Sequence, residues 1–159
     1  MNHAPDHQIV TFRLGEDYFA ADIFAVERVL RHQPPTVVPN MPAWIDGVLE
    51  YQNRIIPVVN LRRRFGLPYA EPRPETRVLV LASDGEWIGV VVDAVQEVAS
   101  IKAAQLSPPP ALFRGLSSEF LLGIVRLDER LIVFLDVQRL LATEERLELQ
   151  QVTAATAHG

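Results

Sequence analysis

The side chains here whose types could do chemistry are four histidines, three strand-borne aspartates and one arginine triplet. His3, His7 and His158 lie near the termini, and no histidine stands at metal-ligand spacing from another. His32, beside Gln33 and Pro34, reads as a solvated loop residue rather than a ligand or base. Asp46, Asp93 and Asp136 each sit in a Gly- or Val-rich strand context, where turn or strand-end hydrogen bonding accounts for them better than acid–base work. The chain has no H-E-x-x-H, no phosphate-binding glycine loop and no G-x-S-x-G elbow. It also has no cysteine, which excludes a disulfide framework, a thiolate metal site and a Cys nucleophile. Arg62-Arg63-Arg64 is the densest basic cluster; with Leu61 and Phe65 packing inward at i and i+4, it reads as a solvated helix face. The expectation is a protein that is not an enzyme and needs no cofactor or metal.

The elements that would position these residues come in two copies. Gly47-Val48-Leu49 with Arg54-Ile55-Ile56-Pro57-Val58-Val59-Asn60-Leu61 returns, without a gap, as Gly123-Ile124-Val125 with Arg130-Leu131-Ile132-Val133-Phe134-Leu135-Asp136-Val137. Upstream, Ile9 to Phe12, Tyr18 to Ala20 and Val26-Glu27-Arg28-Val29 return as Val78 to Leu81, Trp87 to Gly89 and Val95-Gln96-Glu97-Val98. Each copy predicts a strand, a turn, a strand, a Val-x-x-Val segment and a Gly-led hairpin. Ile23, Val26 and Leu30 predict a short helix leading into a strand, and Leu61 to Phe65 one helical turn stopped by Gly66 and Pro68. Ser83-Asp84-Gly85 marks the clearest hairpin, because Asp-Gly favours the tight primed turn. Val137 to Leu141 predicts the start of a C-terminal helix that runs on through Gln150. Pro68 to Pro74, with three prolines, is the linker between the copies. Pro108-Pro109-Pro110 reads as a rigid connection rather than a polyproline ligand.

Short strands at regular spacing, duplicated once, predict two small β-barrels with a shared apolar face rather than a solenoid. The predicted domain runs over 8–142, as copies at about 8–67 and 76–142 intertwined around that centre, with disordered tails at 1–7 and 152–159. With 159 residues and 48% hydrophobic content, the chain is large enough for a core. A net charge of −5 argues against nucleic acid. The absence of cysteine, of a secretory signal and of any apolar run near the roughly 20 residues of a membrane helix points to a cytoplasmic protein without membrane insertion. Two similar surfaces on one rigid body suggest a connector.

Phe12 to Ile23 with Val26 and Val29, Val38 to Val48, Ile55 to Arg62, Ile88 to Val95, and Gly123-Ile124 with Leu131 to Leu141 together resemble the CheW-like family of chemotaxis coupling proteins. The resemblance runs from about Gln8 to Leu141. It implies a mainly β fold of two SH3-like five-stranded β-barrels with short helices. It also implies non-enzymatic adaptor work between the helical-hairpin tips of chemoreceptors and the regulatory domain of a CheA-type histidine autokinase. By position in the family, the receptor-facing candidates are Val26, Arg28, Gly47, Gln52, Arg77 and Val78. The kinase-facing candidates are Leu106, Ser107, Ala111, Leu112 and Gly123. Two residues depart from the family pattern: Gln52 stands where an arginine is usual, and Arg28 where a glutamate is. They suggest a divergent receptor set or a non-flagellar pathway. The alternative is an SH3-like scaffold or peptide-binding module with no kinase partner. An apolar barrel end leaves room for weak self-association.

Overall fold

The computed structural model describes residues 7–83, 85–108 and 121–139. Its first hairpin joins β1 (His7–Leu14) to β2 (Asp17–Asp22) through a turn in which Gly15 takes a φ of +62°. A 3-10 turn at Ile23–Ala25, capped by Asp22, leads into β3 (Val26–Arg31), as the sequence spacing predicts. β4 (Ile45–Tyr51) and β5 (Arg54–Val59) then close a hairpin on Gln52 and Asn53, both left-handed at φ +48° and +61°. Such a two-residue turn matches the right-handed twist of its strands. α1 (Leu61–Arg64) follows, its first turn capped by the Asn60 side chain, which accepts from the Arg63 amide at 3.0 Å.

The second copy repeats this order with β6 (Arg77–Ser83), β7 (Glu86–Val92), β8 (Ala94–Ile101), the two-residue β9 (Leu106–Ser107), β10 (Leu121–Leu127) and β11 (Arg130–Leu135). Its hairpin turn, Asp128 and Glu129, has the same left-handed pair of φ values, +49° and +66°. Asp136 takes the place of Asn60 and accepts from the Gln138 and Arg139 amides. Of the C-terminal helix expected from Val137, residues 137–139 form a turn and the rest lies outside the described residues; of the expected tails, 1–6 and 152–159 also lie outside them, while His7 opens β1.

The two sheets do not follow the two copies. One has the order β8-β1-β2-β11-β10-β9 and the other β3-β6-β7-β5-β4. Each copy therefore hands its first hairpin to the other copy's sheet, where it is joined on one side by an antiparallel pair, β1·β8 or β3·β6, and on the other by a parallel pair, β2·β11 or β5·β7. The sixth strand of the first sheet, β9, has a shorter counterpart in the second, a single bridge from Thr36 to Val48.

The core explains the exchange. Two small clusters fill the individual units: Ile9, Ile101, Val125, Ile132 and Phe134 in one, Leu49, Ile56, Val58, Val78 and Val80 in the other. The largest cluster among the described residues lies between the sheets, where Phe12, Leu14 and Phe19 meet Leu61, Phe65, Leu79, Leu81 and Val90. Phe19 stacks against Phe12 at 5.9 Å and against Phe65 at 5.7 Å. The largest of the three clusters, whose burial stabilises the fold at about 25 cal/mol per Å², thus belongs to neither unit alone.

Candidate functional site

β3 is the outer strand of its sheet, and four of the receptor-facing candidates meet there. Val26 pairs with Leu81, Arg28 with Val80, Leu30 with Val78 and Arg31 with Arg77; a bulge falls between Val26 and Arg28. Arg28 is exposed and Val26 half-buried. The Arg77 guanidinium is held down by the carbonyls of Pro74 at 2.7 Å and Thr76 at 2.9 Å. Val78 corrects the expectation: it is wholly buried and packs inside the unit, so it supports this surface and offers no atom to a partner. The sequence reading missed Val29, which is 40% exposed beside Arg28. The signal was present, since Val29 closes the Val-x-x-Val segment, but strand alternation alone does not separate an outward valine from an inward one.

Gly47 and Gln52 lie on the β4–β5 hairpin, which carries the other edge of the same sheet. Gln52 is exposed at the hairpin tip. Gly47 is buried, and a Cβ there would collide with the Thr36 carbonyl, so its role is to let two backbones touch. Near this tip Arg54 stacks over Trp87 at 4.1 Å, and the equivalent Arg130 stacks over Tyr18 at 4.6 Å.

The kinase-facing candidates divide in the same way. Ser107 pairs with Ile124 and Leu106 with Val125, which brings Leu106, Ser107 and Gly123 together. Ser107 is exposed, Leu106 half-buried on its unit's core and Gly123 buried. A Cβ on Gly123 would strike the Ser107 carbonyl and lie 2.8 Å from Leu106 Cδ1, so Gly123, like Gly47, is a backbone contact rather than a partner contact. Ala111 and Leu112 lie outside the described residues. A further exposed apolar residue, Phe24, stands 91% accessible on the turn before β3 beside a groove of about 310 Å³ that Leu122 and Val137 also line.

The arginine triplet is only in part the solvated face expected of it: Leu61 and Phe65 pack inward and Arg63 is exposed, but Arg62 and Arg64 are half-buried. Arg62 is only 15% exposed: its Nη2 donates to Asp93 Oδ2 at 2.5 Å and its Nη1 to the Pro68 carbonyl at 2.6 Å. The same Asp93 oxygen accepts from the Gly15 amide at 2.6 Å, and the Asp93 amide donates to the Arg13 carbonyl at 2.9 Å. Arg63 donates to the Ala43 carbonyl, and Arg64 lies over Trp44. Helix, linker and first hairpin are thereby tied at one carboxylate. Asp46 accepts from Asn60 and Asp136 caps a turn, so these two serve local structure while Asp93 joins distant segments. Among the described residues no group of histidines and carboxylates has the arrangement of a metal site. Among them, too, no helix is long and apolar enough to cross a membrane.

The CheW-like domain family matches residues 8–145. The chain is 33% identical over 141 residues to the chemotaxis protein CheW of Klebsiella aerogenes, covering 87% of this chain and 83% of that one. It is 31% identical over 141 residues to the protein FrzA of Myxococcus xanthus, covering 87% and 88%. The crystal structure of the scaffolding protein TtCheW from Thermoanaerobacter tengcongensis superposes with a TM-score of 0.81 at 30% identity, covering 91% of this chain and 93% of that one.

Proposed function

Because the chain belongs to the CheW-like domain family, a family of non-catalytic scaffolds, we propose that it acts in the cytoplasm, without enzymatic activity, as an adaptor between chemoreceptors and a CheA-type histidine autokinase. The proposed unit is one domain over 8–142. The observation that carries the reading is a pair of separate exposed surfaces on one body: β3 with Arg28 and Val29, and the β9–β10 edge with Ser107. A helical hairpin from a receptor tip docks on the first, across Val26, Val29 and the charged end of Arg28, with Gln52 and the tethered Arg77 near its rim. The kinase regulatory domain takes the second, with Leu106 and Ser107 supported from beneath by Gly123.

Arg28 gives the receptor surface a cation where the family pattern has a carboxylate, and Gln52 removes a charge from the hairpin tip. The matching receptor surface therefore carries an acidic residue opposite Arg28. Titration calorimetry of the whole chain against a receptor-hairpin fragment and against the kinase regulatory domain, at two salt concentrations, tests both contacts. Saturable binding to both is expected, with Arg28→Glu weakening the hairpin about tenfold and leaving the kinase domain unaffected. Binding to neither would remove the adaptor reading and leave a scaffold with no kinase partner. Full chemotaxis in a strain lacking its ordinary coupling protein would show that Arg28 and Gln52 do not define a separate receptor set.

A further inference from the structure

The duplication sets two concavities at one position of the repeat. Extending the two repeat registers by one residue pairs Arg13 with Ala82 and Arg62 with Gln138, and Asp93 falls opposite Phe24. Ala82, Gln138 and Phe24 line the groove of about 310 Å³ already described. Arg13, Arg62 and Asp93 line its counterpart, a cavity of about 620 Å³ between the β1–β2 turn, α1 and the linker. The same corner of the fold is therefore built once without these charges and once with them. Arg62 and Asp93 hold each other in the larger cavity, but nothing in the fold requires a cation at Arg13.

Arg13 is half-buried and its Nε is enclosed, yet among the described residues its guanidinium has no hydrogen-bond or ion-pair partner. Enclosed polar atoms are nearly always paired, so a guanidinium nitrogen without an acceptor marks a place for one. Thr76, 5% exposed, lines the same cavity. Its hydroxyl oxygen accepts from the Arg73 amide at 2.8 Å, which leaves the hydroxyl proton to donate. Asp93 meets Arg62 and Gly15 through Oδ2, which leaves Oδ1 to accept. The whole lining sets three arginines, with Arg73, against four carboxylates, with Glu16, Glu71 and Glu75. A plain anion meets the excess of carboxylates, and a metal ion meets the arginines. The three glutamates are exposed while Arg13 and Thr76 lie deeper, so the floor is a donor of hydrogen bonds and the rim is acidic.

We propose that this cavity binds a small zwitterion of the α-amino acid class, its carboxylate on Arg13 and Thr76 and its ammonium group on Asp93 and the glutamates of the rim. The volume lies within the range of small-molecule sites, about 300–1,000 Å³. A guanidinium grips a carboxylate through two parallel N–H donors, which gives direction as well as charge. The linker contributes Ala70 to Arg73, Glu75 and Thr76 to the lining, so an occupant fastens it to the end of β1. Neither docking surface of the adaptor reading includes the cavity, so the two proposals stand or fall separately.

Titration calorimetry of the full chain against each of the common free α-amino acids tests the site. Acetate and methylamine serve as the separate halves and inorganic phosphate as a plain anion. At least one amino acid should bind saturably, with a Kd below about 1 mM, and raise the Tm as its concentration rises. Acetate, methylamine and phosphate should each bind at least about tenfold more weakly. Arg13→Ala, which installs the residue of the equivalent position, should keep the circular dichroism spectrum and weaken the amino acid about tenfold. Arg13→Lys should recover only part of that loss, because an ammonium group lacks the paired donors. No saturable binding by any amino acid overturns the proposal and leaves Arg13 to solvent. Phosphate or acetate binding as tightly as the best amino acid overturns it in favour of a plain anion site. Binding indifferent to Arg13→Ala overturns it by placing the ligand elsewhere.

Discussion

Gly47 and Gly123 are equivalent residues with equivalent work. In each copy a bulge follows the first residue of the hairpin strand, the glycine falls at it, and a neighbouring carbonyl lies where a Cβ would stand. At Gly47 the obstacle is the Thr36 backbone, and φ is +152°, so a side chain meets both a clash and backbone strain. Gly47→Ala should therefore cost about 3 kcal/mol, at the upper end of strain penalties. Gly123→Ala, which meets the same clash without the positive φ, should cost about 2 kcal/mol. Urea unfolding of both variants checks the order; equal midpoints would mean that the bulges relax at no cost. The pair was legible in the sequence because a gapless repeat keeps its glycines in register. What was not legible was their side of the surface: position in a family marks a residue as important without separating one that touches a partner from one that holds the touching strand in place. Val78 was misplaced for the same reason, although the unbroken apolar run from Val78 to Leu81 is the pattern of a strand buried on both faces.

At the scale of elements, one carboxylate ties together parts that are distant in sequence. Asp93 joins the turn after β1, the short helix α1 and, through Arg62, the carbonyl of Pro68 at the head of the linker. Arg62 and Asp93 are 15% and 27% exposed at the side chain, so solvent screens the pair only partly. Asp93→Asn should lose about 2 kcal/mol, the range of a charge-assisted hydrogen bond, and Arg62→Met a similar amount. A double-mutant cycle should return a coupling of at least about 1 kcal/mol; additive losses would show that each side chain acts alone. The stack of Arg54 on Trp87 is more exposed, and Arg54→Ala should cost less than about 1 kcal/mol while shifting Trp87 fluorescence to the red. Strands, hairpins and the α1 turn could all be read from periodicity and turn residues. The arginine latch could not. A basic triplet on an acidic chain looks solvated until the fold sets an aspartate 31 residues away in sequence against its first member.

At the scale of the whole molecule, duplication and folding unit are different things. The repeat announces two halves, yet each sheet takes its first hairpin from the opposite half, and the largest core cluster lies between the sheets. Sequence similarity reports which segments share ancestry and shape; it is silent on whether equivalent segments pair within a copy or across copies, because both arrangements bury the same side chains. The linker at Pro68–Pro74 looks like a domain boundary but joins two halves that interlock on either side of it. A cut there should leave neither fragment with a complete sheet. Residues 1–70 would hold β1 and β2 without the strands they pair with, β8 and β11, and residues 71–159 would lack β3, β4 and β5 beside β6 and β7. Each fragment alone should give a disordered far-UV circular dichroism spectrum and no cooperative melt. Mixing them should restore the β signal and a single transition, because the exchanged hairpins and the Phe12–Phe19–Phe65 stack re-form only together. A fragment that melts cooperatively by itself would mean that one unit's small core suffices. The two docking surfaces would then lie on bodies able to move independently. If neither half folds alone, β3 and the β9–β10 edge keep a fixed relation, which is what a scaffold between two partners requires of its frame.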